Sequence, residues 1–327
     1  MRSIVWVSEQ WSYALRELLG SQATVVDSAR EFLDARRDPH TVSFVDSSTI
    51  AALDESPLPG AVIALCDGPL HTAVDWLTTR PWLSHAMSTS MLQHPLAAEH
   101  LSNVMATLSK DSQPRLLDWL GPTVSGRRVR LTQASKRVER LERMSEFFDS
   151  KGVGTRTIAL LRDAAEELLT NAFYDAPVAA GAVPAAISRT MDVSLPDDGA
   201  CDMVYGCRED LAVVRVRDPF GSLTRARLMA VLARCSRTDM QVEVDETMGG
   251  AGLGLWRIFT AVTFVAISVV DSHHTEFLVG IGKRTSGQRP FAFHLFFRET
   301  AKRRFWKLRE HQTNPVDLEN SVSIVAK

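Results

Sequence analysis

The chain has 327 residues, 45% of them apolar and 23% charged, and a formal net charge of -2. It is long enough for two domains with cores of their own, and near-neutrality gives no general drive toward nucleic acid or an anionic membrane. The longest apolar stretch, Leu255 to Val270, is interrupted by Arg257 and too short to span a bilayer. No charged-then-apolar leader precedes Ser8-Glu9-Gln10, so a cytoplasmic location is expected. Cys66, Cys201, Cys207 and Cys235 lack C-x-x-C spacing and read as reduced packing thiols, not as zinc ligands or a disulfide framework.

The first 112 residues alternate. Apolar runs at Ser3–Val7, Ala23–Val26, Thr41–Val45, Ala61–Leu65 and Ala86–Leu92 predict strands. Helices are predicted at Glu9–Leu19, Ala29–Ala35, Ser48–Leu53, Thr72–Leu77 and Ala97–Leu108. Five such units imply an α/β fold with a doubly wound parallel sheet, and size and rhythm resemble the receiver domain of response regulators. A working receiver would need a pair of acids after the first strand, an aspartate after the third and a lysine before a proline after the fifth. Here those places hold Ser8-Glu9, Asp46 and Gln93-His94-Pro95. Asp46 is thus a possible phosphoacceptor without its partners, or a turn residue beside Ser47 and Ser48, and the domain is expected to be a degenerate receiver serving for docking or dimerisation.

Breakers at Asp111–Pro114 and Gly121–Gly126 place a linker at 113–125, with a short helix possible at Leu116–Leu120. A second domain is expected over 126–298 and a tail over 299–327. It opens with an edge strand, Val129–Gln133, and an amphipathic helix, Lys136–Phe148, whose face is Val138, Leu141, Met144 and Phe147 or Phe148. Three motifs follow. Glu167-Leu-Leu-Thr-Asn171 puts a carboxylate and an amide one helical turn apart. Asp218-Pro-Phe-Gly221 ends the run Val213–Val216 at a sharp turn. Gly249-Gly250-Ala251-Gly252-Leu253-Gly254-Leu255 runs into the apolar helix Leu255–Val262, whose amide-rich start attracts phosphate. Singly, each has an ordinary alternative: a solvated helical pair, a common turn, and a flexible or dinucleotide-type loop.

In order and spacing the three resemble the N box and two glycine boxes of the GHKL ATPase superfamily, over about residues 126–298. The resemblance implies ATP and Mg²⁺ as cofactors. It makes Glu167 the general base, Asn171 the Mg²⁺ ligand and Asp218 the acceptor for the adenine amino group. It places Asp175, Gly221, Gly249, Gly250, Gly252, Leu253, Gly254 and Leu255 around the nucleotide, and Gln241–Met248 in a lid. No histidine lies between His100 and His273 to act as a phosphoacceptor, so the layout is closest to the anti-sigma-factor serine kinases. It departs from them in a single-glycine first box, in Tyr174 where that branch often has His, and in a long Asp175–Leu211 connection that includes the alanine-rich excursion Ala176–Ala186.

Phosphate charge must also meet cations, and Arg225, Arg234, Arg237, Lys283, Arg284 and Arg289 are the candidates. Lys302–Arg309 reads as a basic helix that packs on the ATP domain or touches nucleic acid or a membrane surface. Two functions follow: ATP-dependent phosphorylation of a partner protein, or a non-catalytic ATP-sensing module that captures and releases one. A homodimer is expected in either case; membrane and nucleic-acid partners are not.

Overall fold

The computed structural model describes residues 2–36, 38–53, 59–68, 70–109, 116, 119, 125–183, 187–208, 210–236, 253–283, 290–300, 306–308 and 321–326. At 198, 253, 257, 306–308 and 321–326 this extends to the backbone alone.

The first half runs β1 (Ser3–Trp6), α1 (Glu9–Leu19), β2 (Ala23–Val25), α2 (Ala29–Ala35), β3 (Val42–Asp46), β4 (Ala61–Cys66), α3 (His71–Thr79), β5 (His85–Ser88), α4 (Thr89–Leu92) and α5 (Ala97–Ser109). Strands β1, β3 and β5 are buried throughout and β4 nearly so, as expected for a parallel sheet covered on both faces. Helix α2 starts on a reciprocal cap: Glu31 N donates to Ser28 Oγ and Asp27 N to Glu31 Oε2, each at 3.2 Å. Two predicted elements are shorter than their apolar runs. In place of a helix over Ser48–Leu53 there is one 3₁₀ turn, Ile50–Ala52, because Ser48 and Thr49 are engaged by Asp46. The strand expected through Leu92 stops at Ser88, where Thr89 Oγ1 donates to Asp67 and Ser88 pairs with Ser90, turning the chain into α4.

The second half runs β6 (Ser125–Leu131), α6 (Arg137–Ser150), α7 (Thr155–Thr170), a π-helical turn (Asn171–Asp175), α8 (Ala176–Ala179), β7 (Asp192–Ser194), β8 (Cys201–Cys207), β9 (Leu211–Asp218), α9 (Arg225–Ser236), α10 (Leu253–Ala261), β10 (Phe264–Val270), β11 (His274–Gly282), β12 (Ala292–Arg298), β13 (Trp306–Leu308) and β14 (Ser321–Ala326). Helix α6 buries Leu141, Met144, Phe147 and Phe148, but Val138, expected on that face, is 54% exposed. The alanine-rich excursion begins as α8 and keeps Pro177, Ala182 and Val183 buried. The predicted basic helix is not formed where the tail is described. Trp306-Lys-Leu308, alternating apolar and polar, is a strand antiparallel to β14, which pairs in parallel with β7.

The sequence predicts two separate sheets; the structure joins them into one of eleven strands, ordered β2-β1-β3-β4-β5-β12-β10-β11-β9-β8-β6. The five strands of the first half are parallel. The seam is antiparallel, Met87 opposite Ala292 and His85 opposite His294, and beyond it only β12–β10 is parallel. The cores on both faces cross this seam: Val45 and Ala64 share one with Val214 and Phe293, and Phe44 and Met87 share the other with Phe264 and Leu278. Of the expected linker, Leu116 and Trp119 are buried in that second core. The fold class is therefore α/β with a large mixed sheet.

Candidate functional site

The three motifs meet at the end of β9. Val214 and Val216 point into the helix-covered core, and the alternation delivers Asp218 to the same face, 8% exposed. The chain then reverses through Gly221, at φ +62. A Cβ there would stand 2.2 Å from Val270 O and 2.7 Å from the amides of His273 and His274, so only glycine fits. Phe220 N and Gly221 N both donate to Asp218 Oδ1, at 2.8 and 3.3 Å. Burial pushes this carboxyl up to about 6 against the pull of those two amides and of Thr275, which leaves it mostly ionised at pH 7. Gly221→Ala is expected to lower stability by about 2–4 kcal/mol, combining a left-handed conformation with a backbone clash; urea unfolding would measure it, and a loss under ~1 kcal/mol would show that the turn yields.

Helix α7 runs above this strand, burying Leu161, Ala164, Ala165, Leu168 and Leu169. It then widens into the π turn Asn171–Asp175, a form common at functional sites. Asn171 and Asp175 line one cavity with Asp218, Thr275 and Arg227, closed by Leu168, Val216, Leu223, Leu228, Leu255 and Phe277. Its empty volume is about 690 Å³ including the open mouth. Thr275 sits opposite Asp218 in the β9–β11 register and is 2% exposed, so that its hydroxyl lies beside that carboxylate. A buried hydroxyl beside a buried carboxylate, under apolar walls, makes a polar recognition edge.

Glu167 lies beside the cavity and not in its wall. Asn171 Nδ2 approaches its Oε1 at 3.5 Å. Its carboxyl packs on Gly254, where an added Cβ would stand 2.1 Å from Cδ, so glycine at the start of α10 lets the acid seat against that helix. Burial raises Glu167 above the usual carboxyl range; Arg189 opposes this and Asp175 adds to it. Asp175 is likewise raised by burial, with Arg189 and Arg227 pulling it down.

Of the predicted site residues, Asn171, Asp175, Asp218 and Leu255 thus come together, with Glu167, Gly221 and Gly254 holding the frame. Leu253 opens α10; Gly249, Gly250, Gly252 and the lid lie outside the described residues. Asp46 belongs elsewhere, at the end of β3. It is 3% exposed and accepts from Ser8 N, Ser48 N, Ser48 Oγ and Thr49 N, at 2.7, 3.0, 2.6 and 3.2 Å. Burial alone would raise it, but the Ser48 hydroxyl and the amides of Ser8 and Thr49 hold it below the ordinary aspartate value. Three of these bonds fall on Oδ1 and one on Oδ2, the pattern of a turn-capping carboxylate. Arg225, a phosphate candidate by sequence, instead donates from Nη2 to the carbonyls of Leu77, Arg80 and Leu83 at 2.6, 3.0 and 2.9 Å, fixing α9 to the end of α3. Lys283 follows the far end of β11, about 26 Å from Thr275 at ~3.3 Å per residue. Arg234 is exposed on α9, and Arg237, Arg284 and Arg289 lie outside the described residues. Thr275, Arg227 and Arg189 were not anticipated; the first is visible only once β11 is set in register against β9.

Cys66, Cys201 and Cys207 are buried free thiols. Among the described residues no three or more His, Cys, Asp or Glu are grouped to hold a metal by themselves, and no helix is long and apolar enough to cross a membrane. The chain matches no protein-family model and no curated protein.

Proposed function

We propose that the chain is an ATP-binding signalling protein of the GHKL type, whose cavity takes a purine nucleotide with Mg²⁺. The observation that carries this is the convergence of Asn171, Asp218 and Leu255, one from each motif, on one apolar-walled cavity that Thr275 also lines, opposite Asp218. Asp218, its Oδ1 engaged by two amides, presents the acceptor that an exocyclic amino group needs, and Thr275 a hydroxyl beside it. Mg²⁺ fits the donors present as a cation that keeps few protein ligands and takes the rest from phosphate and water; Asn171, with Asp175 near, would hold it. When bound, the ion neutralises charge on the phosphate chain. Glu167, raised by burial, would serve as general base toward a hydroxyl of a partner protein.

The parallel order β2-β1-β3-β4-β5 supports a receiver-like first half, and the engagement of Asp46 Oδ1 by Ser48 and Thr49 supports its being degenerate, a docking or pairing surface. A non-catalytic ATP sensor is the second reading. What favours it is Arg225: helix α9, which lines the cavity, is tied through this residue to α3 of the first half, so ordering α9 around a ligand would reach the docking half directly.

Titration calorimetry of ATP·Mg²⁺ is expected to give micromolar to sub-millimolar binding in the wild type and at least ~10-fold weaker binding in Asp218→Asn, where an amide donor replaces the acceptor. Equal binding by the two would overturn the assignment of the cavity. Labelled ATP then separates the two functions: transfer to protein or phosphate release that Glu167→Ala abolishes marks the enzyme, and binding without turnover in either form marks the sensor.

A further inference from the structure

Charge collects around Asp175 in the lining of the same cavity. Asp175 stands there on the π turn, its Oδ2 buried and without a hydrogen bond. Two arginines face it from different elements. Arg189 comes from the connection between α8 and β7, its Nη2 3.9 Å from Oδ2; Arg227 comes from the first turn of α9 and forms part of the cavity wall. At 3.9 Å the Arg189 pair is held by charge alone. The loop bearing Arg189 is itself fixed: Tyr174 Oη donates to Met191 O at 2.8 Å, and the hydroxyls of Ser188 and Thr190 pair at 2.7 Å. The cavity therefore has the acceptor of Asp218 and the hydroxyl of Thr275 in its lining, with one guanidinium in its wall at Arg227 and a second, Arg189, beside Asp175.

We propose that Arg189 and Arg227 form a clamp for the phosphate chain of the nucleotide, with Asp175 as the internal anion that aligns them until phosphate enters. This rests on the nucleotide reading of the cavity and assigns the cations that sequence could not choose. A guanidinium presents a planar fork that meets phosphate oxygens two at a time, which Asp175 does not offer Arg189 at its present distance. An incoming phosphate takes both arginines at hydrogen-bonding range and leaves Asp175 beside a polyanion, a repulsion that a divalent cation next to Asn171 relieves. The clamp discriminates by phosphate charge and contributes nothing to recognition of the base. It also gives the long connection after α8 a task.

Calorimetry of ATP, ADP and adenosine with Mg²⁺ tests this on the full chain, using wild type, Arg189→Ala, Arg227→Ala and the corresponding lysine variants, with near-ultraviolet circular dichroism to verify the fold. In the wild type, affinity is expected to rise from adenosine to ADP to ATP. Each alanine variant should lose about 10-fold in ATP affinity with adenosine within about twofold of wild type, and each lysine variant should lose less. If wild type binds ATP but the variants match it, or lose ATP and adenosine alike, the clamp is overturned while the nucleotide site stands. If wild type binds none of the three, the clamp and the site both fall.

Discussion

Between pH 6 and 5 three neutral histidines buried at the seam of the sheet are expected to contribute a loss of stability approaching about 4 kcal/mol per pH unit. His294 on β12 lies between two others: its Nε2 is 2.9 Å from His100 Nε2 and its Nδ1 3.3 Å from His85 Nδ1. A neutral imidazole has one N–H and one acceptor nitrogen, so the three form a directional relay, satisfied without charge. Their rings pack against Trp119, Phe264 and Phe296. Burial lowers His85 and His100 to about 3 each, with His94 adding to the effect on His100, and lowers His294 well below its ordinary value, where His100 and His85 further disfavour its charge. The nitrogens of His294 face opposite neighbours, so the three do not converge on one point as metal ligands must.

The sign follows from proton counting. Between about 3 and 6.5 the unfolded chain carries a proton on each histidine that the folded chain does not, so stability is whole above pH 6.5 and drains as pH falls toward 3. Each contributes ~1.4 kcal/mol per unit. Other groups adjust the total: His274, lowered to about 3 by burial and by Arg217 and Arg215, adds to the loss. Asp218, raised to about 6, takes its proton in the folded state first and opposes it, so these two nearly cancel between pH 6 and 4. Glu167 and Asp175, also raised, soften the slope. Urea unfolding at intervals from pH 6.0 to 5.0, followed by tryptophan emission, measures the slope; His294→Leu should reduce it by about one proton, whatever that variant does to stability at neutral pH. A wild-type uptake of one proton or fewer on unfolding would mean that the three are not buried neutral.

Much of this seam was invisible in the sequence, and the reason is physical. The parallel half was legible because strands buried on both faces are near-continuous apolar runs: Ala61–Cys66 is one, and Val42–Val45 is interrupted only by Ser43. The cavity was legible because glycine, carboxylate and amide are residue types that few other settings require together. The β5–β12 pairing, by contrast, joins residues about two hundred apart, and nothing local in His-Ala-Met-Ser announces its partner. Histidine counts as polar in any periodicity, so His85 and His294 register as interruptions although each is under 5% exposed. Thr275 and Arg189 enter the site through register and loop path, which are tertiary facts. Asp46 shows the converse: placed as a phosphoacceptor would be, it is committed by hydroxyls two and three residues on.

Arg215 is the clearest case of a residue hidden by its neighbours, and replacing it by methionine is expected to cost about 3–5 kcal/mol. It interrupts the run Val213–Val216 with a charge in Leu211-Ala-Val-Val-Arg-Val-Arg-Asp218. Its side chain is 4% exposed, Nε paired with Glu276 Oε1 and Nη1 donating to Asp202 Oδ2 at 2.6 Å. Asp202 and Glu276 both stand opposite Arg217 on the flanking strands β8 and β11, so Arg215 reaches diagonally to each. Asp202 has a second partner in Arg128, at 2.7 Å, and these hydrogen-bonded cations hold it below the ordinary aspartate value although burial works the other way. Glu276, whose side chain is 3% exposed, depends far more on Arg215. Removing Arg215 leaves that carboxylate buried and poorly paired, which is the costly step; removing both ends of the pair is not, because the desolvation penalty leaves with the charges. Arg215→Met with Glu276→Leu should therefore recover more than half of the loss in urea unfolding. If the single variant lies within ~1 kcal/mol of wild type, or the double variant is no more stable than the single, the charges at the centre of the sheet are not coupled in this way.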